Sequence, residues 1–144
     1  MPIPNGSGGY QYTSGNSSEV VLGVQATPAT NIGAGATLTA AQLASGILLV
    51  GASQTTAQTF TLPSASGLDT STSPAAVVPS ARVGSTFELV IVNTGTSSGT
   101  AALSMGSGTG FTDGGNATVA IGATASARFL FRKTADATWT VYRV

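Results

Sequence analysis

The side chains able to do chemistry in this chain are few and far apart. Glu19, Asp69, Glu88, Asp113 and Asp136 are its acidic residues, and Arg82, Arg128, Arg132, Lys133 and Arg143 its basic ones. No two acids sit at a spacing that would pair them on one strand or helix for general acid–base work. Histidine and cysteine are both absent. That removes the commonest general base, the thiolate nucleophile, disulfides and every metal site built on those two ligands. Serines are abundant, but none has a histidine to form a Ser–His–Asp arrangement.

Two short motifs invite a chemical reading and lose it on inspection. Asp113-Gly114-Gly115-Asn116 has the look of a cation-binding turn, yet a calcium loop of the EF-hand kind needs several carboxylates in register and a closing Glu. A plain β-turn is expected there, with no metal. Gly106-Ser107-Gly108-Thr109-Gly110 is as glycine-rich as a phosphate-cradling loop, but it lacks the following Lys and the strand–loop–helix setting. No catalytic, cofactor-binding or metal-binding residue is therefore assigned. Glu88 lies on an apolar strand, and a carboxylate buried there needs a partner. Arg128 or Arg132 is expected to supply it as a structural ion pair.

Charged residues make up 7% of the chain, against about 25% in an average soluble domain. The formal net charge is zero. Nucleic-acid binding requires clustered Lys and Arg, and attraction to anionic membranes requires the same, so neither partner is expected. A weakly charged, neutral surface protects poorly against self-association, which favours a defined oligomer. Met1 to Gly6 has neither a basic nor an apolar region of the secretory kind, so no signal peptide is expected. The apolar runs, of which Ile47 to Val50 is as long as any, are far short of a membrane span. Without a secretion signal, the sequons at Asn16 and Asn116 are read as chance matches.

These residues must be placed by a scaffold of small side chains, since Gly, Ala, Ser and Thr exceed half the chain. Residues 1–35 form an extended or flexible arm that carries a single charge, Glu19. Val20, Val21, Leu22 and Val24, with Tyr10 and Tyr12, give the arm apolar surface that has no core to join. Partner contact is expected for all six. Residues 36–144 form one β-domain. Thr39 and Gln42 make a capping-box pattern for one or two helical turns closed by Gly46. Strands are expected at Ile47–Val50, Thr59–Leu62, Thr86–Asn93, Thr100–Met105, Ala117–Ile121, Ser126–Lys133 and Thr138–Val144. Residues 106–115 read as a turn, 64–73 as a polar loop, a turn at Pro74 is cut short by Pro79, and Thr134–Ala137 is a hairpin loop. In Thr86–Asn93, apolar residues fall on both faces, which predicts a strand covered on both sides. Phe87, Phe129, Phe131 and Trp139 are the expected core aromatics. The rhythm of short strands and Gly/Pro turns argues an all-β fold of the β-sandwich or jelly-roll kind, with short helical turns.

The segments 39–47 (TAAQLASGI), 81–95 (ARVGSTFELVIVNTG), 116–132 (NATVAIGATASARFLFR) and 139–144 (WTVYRV) together resemble the β-rich modules of tailed-phage virion proteins. Such modules occur in capsid decoration (cement) proteins and in trimeric head or tail fibres. The resemblance covers residues 36–144 and excludes the arm. It implies a non-enzymatic structural role, assembly as a homotrimer, and attachment to the major capsid protein or neighbouring virion subunits. No catalytic residue is carried over. Fibres usually place shafts, coiled coils or collagen-like repeats ahead of a terminal head, and this chain has none of them. A small protein opening at Met1 with one arm and one β-domain is expected to be a decoration protein on the outer capsid surface. A fibre-tip or receptor-binding module is the alternative, and a glycan-binding β-sandwich protein the third reading.

Overall fold

The computed structural model describes residues 36–50, 56–69, 76–78, 81–95 and 99–144, and the backbone of three short strands before them. Those three are β1 (Ile3–Pro4), β2 (Tyr10–Gln11) and β3 (Ala29–Ile32). The remaining elements are α1 (Ala40–Leu43), β4 (Ile47–Val50), β5 (Gln58–Thr61), α2 (Ser66–Asp69), β6 (Thr86–Asn93), β7 (Ala101–Ser104), β8 (Phe111–Gly115), β9 (Ser126–Ala135) and β10 (Thr138–Arg143). Among the described residues the chain is all-β with two single-turn helices. Both are local devices. In α1 the Thr39 hydroxyl accepts from Gln42 N–H at 3.2 Å while the Gln42 amide oxygen accepts from Thr39 N–H at 2.8 Å, the reciprocal cap written in the sequence. Gly46 then turns the chain into β4 with φ 81°, a region closed to most L-residues.

The strands form a six-stranded sheet in the order β3-β4-β6-β9-β10-β8 and a two-stranded sheet of β5 and β7, with β1 and β2 paired separately. From β4 to β8 the chain alternates between the two larger sheets. The first two visits to each sheet lie side by side, so β4 pairs parallel with β6, and β5 parallel with β7, while β8 lands at the far edge beside β10. Parallel neighbours require crossovers, and each connection here crosses to the other sheet and back. Antiparallel pairing is confined to β6–β9 and β9–β10 in the six-stranded sheet. The small sheet is lengthened by single bridges, Thr37 to Thr61 on one side and Ala101 to Ile121 on the other.

The inward faces of both sheets meet in one core. Leu48 and Val50 of β4, Leu89 and Ile91 of β6, Phe129 and Phe131 of β9, and Trp139 and Val141 of β10 face Phe60, Ala101 and Leu103 of the small sheet, with Leu38, Leu43 and Leu68 from the flanking turns. Phe129, Phe131 and Trp139 are fully buried, as the sequence suggests. Phe87 is half-buried instead, at the rim. It stacks on Phe131 with ring centroids 4.7 Å apart and meets the Trp139 ring edge at 5.3 Å.

Several sequence expectations shift. The region 106–115 is not all turn: Phe111–Gly115 is a strand running parallel to β10. Ala117–Ile121 is not a strand; it is a turn whose last residue alone bridges to Ala101. Ser66–Asp69 is a helical turn with Leu68 and Asp69 buried, rather than polar loop. Strand β9 extends to Ala135, which leaves a two-residue hairpin loop, Asp136-Ala137, with Ala137 at φ 47°. Strand β3 lies within the stretch read as arm, and pairs with β4 at the edge of the six-stranded sheet.

Candidate interaction surface

The outer face of the six-stranded sheet is the most distinctive surface of the domain. In β6 the side chains alternate, so Leu89, Ile91 and Asn93 point inward and Glu88, Val90 and Val92 outward. Register then builds rows across the strands. Ile47 lies beside Val90, and Val90 beside Arg128; Leu49 lies beside Val92, and Val92 beside Ser126. Glu88 lies beside Leu130, and Leu130 beside Tyr142. Ile47, Leu49, Val90, Val92, Leu130 and Tyr142 are all half-buried. The strand is thus sealed on its inner side and partly open on the outer one, a correction to the expectation of cover on both faces. Aliphatic side chains in cross-strand rows present a flat apolar strip, the kind of surface that partners cover.

Glu88 and Arg128 flank that strip as an ion pair, 3.7 Å apart, with about half of each side chain in solvent. The pair anticipated from the sequence is therefore present, but it is exposed, and such pairs contribute little to stability. Arg132 lies across from Thr86 and makes no ion pair among the described residues. Of the six arm residues expected to contact a partner, Tyr10 is a backbone member of β2, opposite Pro4. Tyr12, Val20, Val21, Leu22 and Val24 lie outside the described residues.

The remaining polar motifs serve the scaffold. Asp113 Oδ1 accepts from the backbone N–H of Gly115 at 2.8 Å and of Ala117 at 3.1 Å, and Oδ2 accepts from the Thr118 hydroxyl at 3.2 Å. Its lone pairs are spent on the turn. Burial pushes this carboxyl up, but the bonds from Ala117, Gly115 and Thr118 outweigh it and hold it below the usual carboxylate range. A carboxyl depressed in the folded state stabilises fully above its unfolded pKa and loses that contribution as pH falls through the folded value. Protection of the Gly115 and Ala117 amides, taken relative to the intrinsic exchange rate at each pH, should therefore hold down to roughly pH 4 and fall below it. Asp113→Ala should make the same amides exchange fast at neutral pH, an outcome that proton-exchange NMR reads directly. Among the described residues no group of three potential metal-ligating side chains exists, and no helix is long and apolar enough to cross a membrane.

The glycine loop 106–110 is also structural. Thr109 folds its hydroxyl back onto the Met105 carbonyl, and Gly110 packs so tightly that a Cβ would lie 2.3 Å from the Ala137 carbonyl oxygen. At Gly114 the Tyr142 ring lies 2.4 Å from where a Cβ would sit, so a larger residue would push that ring aside. A shallow recess lined by Asn116, Val119, Arg143 and Val144 has its one cation occupied: Arg143 Nη1 donates to the Val119 carbonyl at 2.9 Å. Gly95 to Gly99 has the Gly-x-Ser-x-Gly spacing of a nucleophile elbow. It joins strand to strand, whereas a nucleophile elbow joins strand to helix, and Ser97 lies outside the described residues.

The sequence reading also missed a pair of buried charges. Lys133 and Asp69 contact one another inside the domain, with side-chain exposures of 7% and 0%. Half of the signal was legible. Lys133 is in phase with Ala127, Phe129 and Phe131, so it had to point inward with them. Comparison with protein-family models, with curated proteins and with solved structures returned no match.

Proposed function

We propose that this chain is a structural subunit of a tailed-phage virion: a capsid decoration protein that binds the outer capsid surface as a homotrimer and stabilises the shell. The observation that carries this reading is the apolar strip Ile47, Leu49, Val90, Val92 and Leu130 on the outer sheet face of a chain with ten charged side chains. Such a strip is best covered by another copy or by a capsid subunit. Its flanking Glu88–Arg128 pair sets register at the rim, where exposed charges favour specificity over affinity. The edge strand β3 supports the same reading, since an arm that adds a strand to its own sheet has the chemistry to extend a neighbour's. We read the two larger sheets as the layers of a β-sandwich. The parallel β4–β6 and β5–β7 pairs depart from an antiparallel jelly roll. A fibre-tip module shares the surface argument and is the alternative reading. The glycan-binding reading is weakened because Trp139, its best stacking platform, is fully buried.

Light scattering on the purified chain should give three times the 14.1 kDa chain mass. Chelator and roughly 0.5 M salt should leave that mass unchanged, because apolar burial is not screened. Val90→Glu, which places a charge in the strip, should shift the protein to monomer with its melting temperature little changed. A wild-type monomer at micromolar concentration would contradict the trimer.

A further inference from the structure

The buried Lys133–Asp69 contact lacks the geometry of an ordinary ion pair. Nζ of Lys133 touches Oδ2 of Asp69, yet among the described residues neither carboxylate oxygen has a hydrogen-bond partner. The ammonium thus approaches outside hydrogen-bonding directions, and Asp69 Oδ1 is buried with none of the described residues donating to it. Nζ also donates to the Ala81 carbonyl at 3.0 Å, and Asp136 Oδ1 stands 3.8 Å from it, on a side chain 62% exposed. Around the pair are Phe131, two residues before Lys133 on the same face, and Trp139, its cross-strand neighbour. A carboxylate buried without donors is among the most costly groups in a fold. Removing both charges relieves that cost.

We propose that Lys133 and Asp69 condense to an intramolecular isopeptide bond. Proton transfer within the pair gives a neutral amine and a carboxylic acid. The Nζ lone pair then forms a bond to Asp69 Cγ, the Cγ–OH bond breaks, and the hydroxyl leaves as water with a proton from Nζ. The sum is amine plus acid to amide plus water, with no oxidant, reductant or co-reactant. The fold contributes proximity, since two groups held in contact react at effective concentrations far above any in solution, and its interior excludes the water that would reverse the step. Asp136 is the carrier for the departing proton, placed between the pair and solvent. The product links α2 to β9 and leaves a neutral amide in place of two buried charges.

Denaturing mass spectrometry of the purified full chain tests this. The wild type should be lighter than its sequence mass by one water, after correction for any removal of Met1. Lys133→Arg and Asp69→Ala should each run at full mass. Chymotryptic digestion of the wild type should yield a branched species joining residues 69–87 to residues 132–139. Asp136→Ala should leave a measurable unreacted fraction; complete reaction would remove Asp136 from the mechanism. A wild type at full sequence mass overturns the proposal. So does a water loss that maps to a succinimide at Asp113-Gly114.

Discussion

Trp139→Ala is expected to lower stability by about 3–5 kcal/mol and the melting temperature by roughly 10–20 °C. The residue stands at the crossing of three strands: its backbone pairs with Phe111 of β8 and Lys133 of β9. Its side chain is 1% exposed. It meets the Phe87 ring edge-on, and Phe87 in turn stacks on Phe131. Truncation opens a cavity that neighbours tied into a ladder cannot collapse to fill. In a domain whose margin is about 5–15 kcal/mol, that loss is a large share. Trp139→Phe should cost much less. It keeps the ring contact and removes an indole N–H that is buried with no hydrogen-bond partner among the described residues. Thermal melts of the two variants beside wild type separate volume from polarity. If Trp139→Ala melted with the wild type, the core described above would be wrong.

Removing residues 1–28 is expected to abolish decoration while leaving the fold intact. The cut falls before β3, so the Ala29–Ile32 strand still covers the edge of β4. A cut at Ala36 removes β3 too and exposes that edge, so it should cause aggregation, as unprotected edges do. The two truncations therefore separate attachment from folding. The stretch before residue 29 includes Val20, Val21, Leu22 and Val24, apolar residues with a partner to find. Ordering such a segment costs roughly 1–2 kcal/mol per residue, so contact must be continuous to offset it. In the proposed trimer three arms would multiply a modest single-arm affinity, and their loss should weaken particle binding by at least about a hundredfold. Binding assays with the 29–144 chain measure this. Undiminished decoration would move attachment to the β-domain, with the outer strip of the six-stranded sheet as the obvious surface.

What could be read from the sequence follows from how local each signal is. The α1 cap was legible because Thr39 and Gln42 satisfy each other across one turn. Strands β6, β9 and β10 were legible because their apolar residues alternate along the chain. Strand β8 was not: Asp113, Gly114 and Gly115 have no strand character of their own, and they are extended because β10 offers them a ladder. The reverse holds for Ala117, Val119 and Ile121, whose alternation suggests a strand. Asp113 gathers the backbone around Ala117 into a turn, and Val119 is left half exposed. Helix α2 was hidden by its serines, since Leu68 and Ala65 are too few to mark a periodic face. Lys133 could be placed inside by its phase, whereas nothing local marks Asp69 as its partner. The interaction strip was visible as apolar residues on both faces of β6. That its outer side stays partly open depends on sheet order, which no single strand encodes.

The central claim is that this protein coats a capsid, and it is met most directly by a binding measurement on the particle itself. On the proposed reading, phage capsids stripped of this protein should be mixed with the purified chain and imaged by cryo-electron microscopy. The account predicts added density on the outer shell at stoichiometric occupancy, in clusters of three copies bridging neighbouring capsomers, and a shell that then withstands heat better than the stripped one. Shells that stay bare while density collects on tail or head fibres, or on no part of the particle, would contradict it.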